Sequence, residues 1–175
     1  MIGAVQKNVG SVNEDFSFTN DIITNRIITV TKSGNNISDY NDLSGKKLAV
    51  VTDIAKAALD KNATIKNNNK NTLYPTIEDA LSALDNGSVD AVITDEFNFS
   101  PLENAEKYQV LNGELDKISY AFMFKKGDWV VENWNEAIYE LKSPDYNDKD
   151  EFTPMVEKYF GYNASSFDYV PSKTK

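Results

Sequence analysis

Leu48-Ala49-Val50-Val51-Thr52-Asp53-Ile54 is the stretch that decides the architecture. Its four apolar residues are too few for a buried helix and suit a buried strand, read at about 47–51, after the turn-like Leu43-Ser44-Gly45-Lys46-Lys47. Thr52 or Asp53 then caps a helix, because a hydroxyl or carboxylate oxygen accepts a first-turn N–H. Ile54, Ala57, Ala58 and Leu59 are its expected inward positions, and the Asn-rich stretch at 67–71 ends it.

The same grammar recurs downstream. Thr72-Leu73-Tyr74 reads as a short strand, Pro75 as a break, and Thr76 as the cap of a helix carrying Ile77, Ala80, Leu81 and Leu84 on one face. Asn86-Gly87 ends that helix, with Gly87 expected in the left-handed conformation. Asp90-Ala91-Val92-Ile93-Thr94 is a third strand. Strand, helix, strand, helix, strand predicts a parallel sheet with right-handed crossovers.

Outside this unit, Ile27-Ile28-Thr29-Val30 and Ile118-Ser119-Tyr120-Ala121-Phe122-Met123-Phe124 read as connecting strands. A helix with Val131, Trp134, Ala137 or Ile138, and Leu141 inward is predicted to end before Pro144. Thr153-Pro154 reads as a cap and first position of a last helix ending at Phe160-Gly161. The expected division is therefore a βαβαβ lobe over 33–115, with 1–32 and 116–175 forming the other lobe. Parallel sheets bind ligands beyond the carboxyl ends of their strands, which puts the Thr52-Asp53 turn and the Asp95 turn at one edge.

Composition narrows the chemistry. With no Cys and no His, the chain has no thiol nucleophile, no Ser-His triad and no usual zinc ligand set, so we expect no enzyme, no metal and no cofactor. A net charge of −9 repels phosphate backbones and anionic lipid, so no nucleic acid is expected as a partner. The start, Met1-Ile2-Gly3-Ala4-Val5, does not read as a secretory signal. The acidic set Asp145, Asp148, Asp150 and Glu151 lacks the spacing and Gly of an EF-hand and reads as a solvated connector. Phe160, Tyr162, Phe167 and Tyr169 read as aromatics that fasten the chain end. Asn-x-Ser/Thr triplets, such as those starting at Asn36, Asn62 and Asn163, would be glycosylation candidates in a eukaryotic secreted protein.

Four segments in order resemble the family 3 extracellular solute-binding proteins, the polar amino-acid receptors of bacterial ABC importers: Asp15-Phe16-Ser17, Asp42 to Val50, Asn86 to Asp95, and Glu157-Lys158-Tyr159-Phe160-Gly161. The resemblance implies an α/β fold of the type II periplasmic-binding-protein class, two lobes joined by two hinge strands, with lobe one incomplete. It also implies an extracytoplasmic substrate-binding component that traps an amino acid or related small solute between lobes and hands it to a membrane permease. A sensor domain of a signalling protein and a remnant without ligand binding are the alternatives.

Ligand contacts are expected at Asp95, for an α-ammonium, and at Thr52, Asp53 and Ile54, where a hydroxyl and a helix start suit a carboxylate. Gly10 stands where the family usually carries a carboxylate-clamping Arg, which leaves Lys7 and Asn8 as the nearby polar candidates. An incomplete lobe one also makes a second copy of the chain a candidate partner.

Overall fold

The computed structural model describes residues 2–7, 12–147 and 149–160. In chain order its elements are β1 (Ile2–Gln6), α1 (Val12–Asp15), β2 (Phe16–Phe18), β3 (Ile23–Lys32), β4 (Lys47–Val50), α2 (Asp53–Lys61), α3 (Ala63–Asn68) and β5 (Lys70–Leu73). There follow α4 (Ile77–Asp85), β6 (Ala91–Asp95), α5 (Glu96–Phe99), β7 (Tyr108–Val110), β8 (Asp116–Lys125), α6 (Val130–Lys142) and α7 (Phe152–Phe160). The chain divides into two compact units, Met1–Asn25 with Ile118–Lys175, and Arg26–Lys117. It passes from one to the other within β3 and again within β8.

In the second unit β4 lies between β5 and β6 and runs parallel to both, with Val50 opposite Leu73 on one side and Ile93 on the other. β6 pairs antiparallel with β3, which also takes β7. Crossovers from β4 to β5 and from β5 to β6 travel in opposite directions, so their common right-handedness puts α2 and α3 on one face and α4 on the other. Side chains alternate accordingly. Ala49 and Val92, adjacent in register, join Ile77, Ala80, Leu81 and Leu84 of α4 in one apolar cluster with Ile28, Val30 and Phe99. All five residues of β6 are buried, as expected for a strand covered on both faces.

The helices start where hydroxyl oxygens offer a cap. Thr52 accepts from Ala55 N at 3.2 Å and Thr76 from Asp79 N at 3.1 Å. Of the expected inward set in α2, Ala58 and Leu59 are buried, Ile54 is half-buried and Ala57 is exposed, while Ala55 is buried in addition. Nor does one helix run on to the Asn-rich stretch. Asn62 interrupts it, closing α2 through its N–H to the Leu59 carbonyl and opening α3 by accepting from Ile65 N at 3.1 Å. At the end of α4, Gly87 takes φ +77°, and its N–H donates to the Leu84 carbonyl at 3.2 Å.

In the first unit β1 and β2 pair antiparallel with β8, Val5 opposite Ala121 and Ser17 opposite Phe124. The helix α6 buries Val131 and Ile138, and Trp134 meets the Phe122 ring edge-on at 4.7 Å between centroids. Lys142 is also buried, its ammonium donating to the Asp21 carbonyl at 3.0 Å and lying 4.6 Å from the Phe152 ring centroid. Thr153 does not cap α7. It lies inside the helix as the second residue, and Asp150, three residues back, accepts from both Thr153 N (2.5 Å) and Thr153 Oγ1 (2.7 Å). Asn8, Gly10, Asp148, Gly161 and the tail aromatics Tyr162, Phe167 and Tyr169 lie outside the described residues. Among the described residues no helix is long and apolar enough to cross a membrane, and no group of three His, Cys, Asp or Glu side chains is placed to hold a metal ion.

Candidate functional site

The ladder between β4 and β6 ends at Val50 opposite Ile93, with Val51 N still donating to the Ile93 carbonyl at 3.1 Å. Two residues past this matched pair come the helix starts: Thr52 opens α2 and Asp95, the last residue of β6, opens α5. Both turns therefore stand at the carboxyl edge of neighbouring parallel strands whose connections depart in opposite directions, the position where doubly wound sheets open a crevice.

Thr52 is half-buried, with φ −110° and ψ 159°, extended backbone that aims its hydroxyl back at Ala55 N. Its helix supplies the N–H groups of Asp53 and Ile54 in the first turn, where helix geometry provides no intrahelical acceptor, and the positive end of a nine-residue helix dipole. The Asp53 side chain is exposed.

Asp95 is 1% exposed. Its Oδ1 accepts from Asn98 N at 3.2 Å and its Oδ2 from Asn98 Nδ2 at 2.7 Å. The carboxylate is thus a helix cap in its own right.

The neighbouring residue Glu96, 6% exposed, is gripped by Arg26: Nε donates to Oε2 at 2.8 Å and Nη2 to Oε1 at 2.5 Å. The hydrogen bond to Glu96 raises the Arg26 pKa above its ordinary value, against the opposing effect of burial. This pair had no sequence reading. Its partners are 70 positions apart, and only the apolar run Ile27–Val30 beside Arg26 and the adjacency of Glu96 to Asp95 hinted at it.

Lys7, in the first unit, is engaged locally. Its ammonium donates to Asp21 Oδ1 at 2.7 Å and to the Thr19 carbonyl at 3.1 Å. Burial works to raise the pKa of Asp21, but the hydrogen bonds from Lys7 and Ser119 and the charges of Lys7 and Lys142 prevail and hold it below the usual 3.8.

No family model and no curated protein matches the sequence. Solved structures do match. The second substrate-binding domain of a putative amino-acid ABC transporter from Streptococcus pneumoniae is 26% identical, with a TM-score of 0.66 over 87% of this chain and 68% of that one. A polar amino-acid ABC uptake transporter substrate-binding protein from Streptococcus thermophilus is 22% identical, with a TM-score of 0.69 over 89% of this chain and 61% of that one. The GluR0 ligand-binding core from Nostoc punctiforme, in complex with L-glutamate, is 21% identical, with a TM-score of 0.57 over 90% and 69%. The chain thus spans between 61% and 69% of the length of these three. These neighbours are binding proteins. The chain has the type II periplasmic-binding-protein fold, and its structural neighbours include the substrate-binding proteins of bacterial polar amino-acid ABC transporters.

Proposed function

We propose that this chain is the extracytoplasmic substrate-binding component of an amino-acid ABC importer, holding an amino acid or related small solute for delivery to a membrane permease. The observation that carries the reading is the placement of Thr52 and Asp95, each two residues past the matched positions Val50 and Ile93 on neighbouring parallel strands. Strands in a sheet lie about 4.8 Å apart, so turns leaving adjacent strands are within reach of one small zwitterion.

In this reading the Asp95 carboxylate accepts from the ligand's α-ammonium. The N–H groups of Asp53 and Ile54, with the Thr52 hydroxyl, receive the α-carboxylate at the positive end of α2. Charge-assisted hydrogen bonds of this kind contribute roughly 1.5–3 kcal/mol each. No step of bond making or breaking is involved, and the proposed role needs no cofactor. Fold similarity to a GluR0 ligand-binding core supports a second reading, a sensor domain in which the same site reports to a signalling partner.

Calorimetric titration of the full chain with the common L-amino acids tests the binding role. Saturable binding of at least one, abolished by Asp95→Asn, is the expected result. An uncharged Asn still caps a helix but cannot pair with an ammonium, so unchanged binding in that variant refutes the assigned site.

A further inference from the structure

Asp95 and Glu96 are consecutive, buried and acidic, at the point where β6 turns into α5. Burying one carboxylate costs free energy unless it is paired and hydrogen-bonded; burying two in sequence also sets like charges beside each other. The two are satisfied differently. Asp95 faces its own helix through Asn98, whereas Glu96 is held from outside the turn by Arg26.

The backbone explains how Arg26 reaches. Ile27 lies opposite Asp95 in the antiparallel ladder of β3 and β6, so stepping back one residue on β3 and forward one on β6 brings Arg26 opposite Glu96. The contact is two-pronged, 2.8 Å and 2.5 Å, through two nitrogens of one guanidinium to the two oxygens of one carboxylate, a fork that Lys cannot offer. A two-point contact fixes the Glu96 side chain in orientation as well as in distance. Since α5 has only four residues, Glu96–Phe99, and little packing length of its own, its first residue is where outside restraint sets its direction.

We infer that Arg26 is a positioning residue for the proposed ligand-binding turn: by clamping Glu96 it orients the start of α5 and, through the adjoining peptide, the Asp95 carboxylate. The inference rests on the receptor reading for its functional meaning, while its structural half concerns Asp95 and Asn98 alone. Arg26 touches no ligand in this scheme. Replacing it removes no ligand contact but loosens the acceptor that makes one.

The test combines two measurements on the full chain, for wild type, Arg26→Gln and Arg26→Lys. Amide hydrogen exchange without ligand reads the Asp95 cap through the Asn98 N–H, and titration with the common L-amino acids reads affinity. Arg26→Gln is expected to speed exchange at Asn98 by on the order of fivefold or more, the scale of a lost helix cap, while Val50 and Ile93 in the neighbouring strands stay protected. Affinity for whichever amino acid binds wild type falls on the order of tenfold, and Arg26→Lys, which keeps the charge but not the fork, recovers only part of both effects. Should Arg26→Gln fail to fold, Arg26→Lys carries the same comparison.

Unchanged exchange at Asn98 overturns the inference. So does acceleration shared equally by Asn98, Val50 and Ile93, which marks Arg26 as a general stabiliser of the sheet. A selective response at Asn98 in a protein that binds no amino acid sinks the receptor reading and leaves the Arg26–Asp95 coupling standing.

Discussion

Asp95 and Asn98 are joined twice, backbone N–H to Oδ1 at 3.2 Å and side-chain amide to Oδ2 at 2.7 Å, so one carboxylate both starts α5 and fastens its third residue. Asp95→Ala strips both bonds and is expected to cost about 1 kcal/mol or somewhat more, whereas Asp95→Asn keeps an acceptor for the N–H and costs less. Urea denaturation of the two variants measures the difference; equal losses would show that the cap contributes nothing.

Thr52 and Thr76 head the two longer helices of the parallel unit by the same device. Thr52→Ala and Thr76→Ala should each lower stability by about 1 kcal/mol, and the Ser replacements should restore most of it. If Thr52→Ala also weakens amino-acid binding while Thr76→Ala does not, the two equal caps separate into one with a ligand role and one without.

Acid stability should depend on Asp21. Its folded pKa lies below the usual 3.8, so the stabilisation it brings is fully present above that value and is lost as pH falls through the lowered one. Wild type and Asp21→Asn, compared by denaturation from pH 7 to pH 2, should differ at neutral pH and converge in acid. Parallel curves would mean that the Lys7 contact, 2.7 Å in length, adds no linkage.

At the alkaline end the group to watch is Tyr108, whose hydroxyl donates to Asp85 Oδ2 at 2.9 Å. Burial, reinforced by the hydrogen bond and the negative charge of Asp85, pushes its pKa up to about 12 from 10.0. The folded phenol keeps a proton that the unfolded one releases, so this contribution is intact below pH 10 and disappears as pH rises through about 12. Burial also raises the pKa of Tyr40, so ultraviolet titration should find late phenols of which one moves toward 10 in Asp85→Asn; a titration unchanged by that substitution would contradict the assigned pair.

Core packing gives the largest expected change. Leu48, fully buried in β4, should cost about 2–5 kcal/mol on truncation to Ala, as a transfer loss plus a cavity. The exposed Leu73, at 62% accessibility on the edge strand β5, should cost far less. Thermal melts of both variants check the contrast.

What the sequence disclosed follows the range of the forces involved. Thr76, Gly87 and the apolar faces of α4 and β6 were readable because caps, left-handed turns and periodic burial are settled within a few residues. In α2 the inward Ala58 and Leu59 were read and Ala55 was missed in favour of Ala57, since Thr52 and Asp53 are both competent caps and only packing against the sheet decides which small residue turns inward. Asn62 was hidden for a related reason: an Asn inside an apparently continuous helix gives no warning that it ends one segment and starts another. Arg26–Glu96 and the buried Lys142 were beyond local reading altogether, because their partners are separated by many residues and meet only after strands and helices have assembled. Thr52 and Asp95 could be assigned to one sheet edge from strand order alone, but the engagement of Asp95 by Asn98 needed coordinates.

Gly87 combines a φ of +77° with open space around the site of a missing Cβ, where no atom lies within 4 Å. Chirality alone, and not crowding, therefore restricts this position. A mirror-image alanine installed there by semisynthesis should suit the turn and stiffen the unfolded chain, whereas its natural enantiomer meets a conformational penalty of roughly 1–2 kcal/mol. The handedness of a single α-carbon is what this helix end selects.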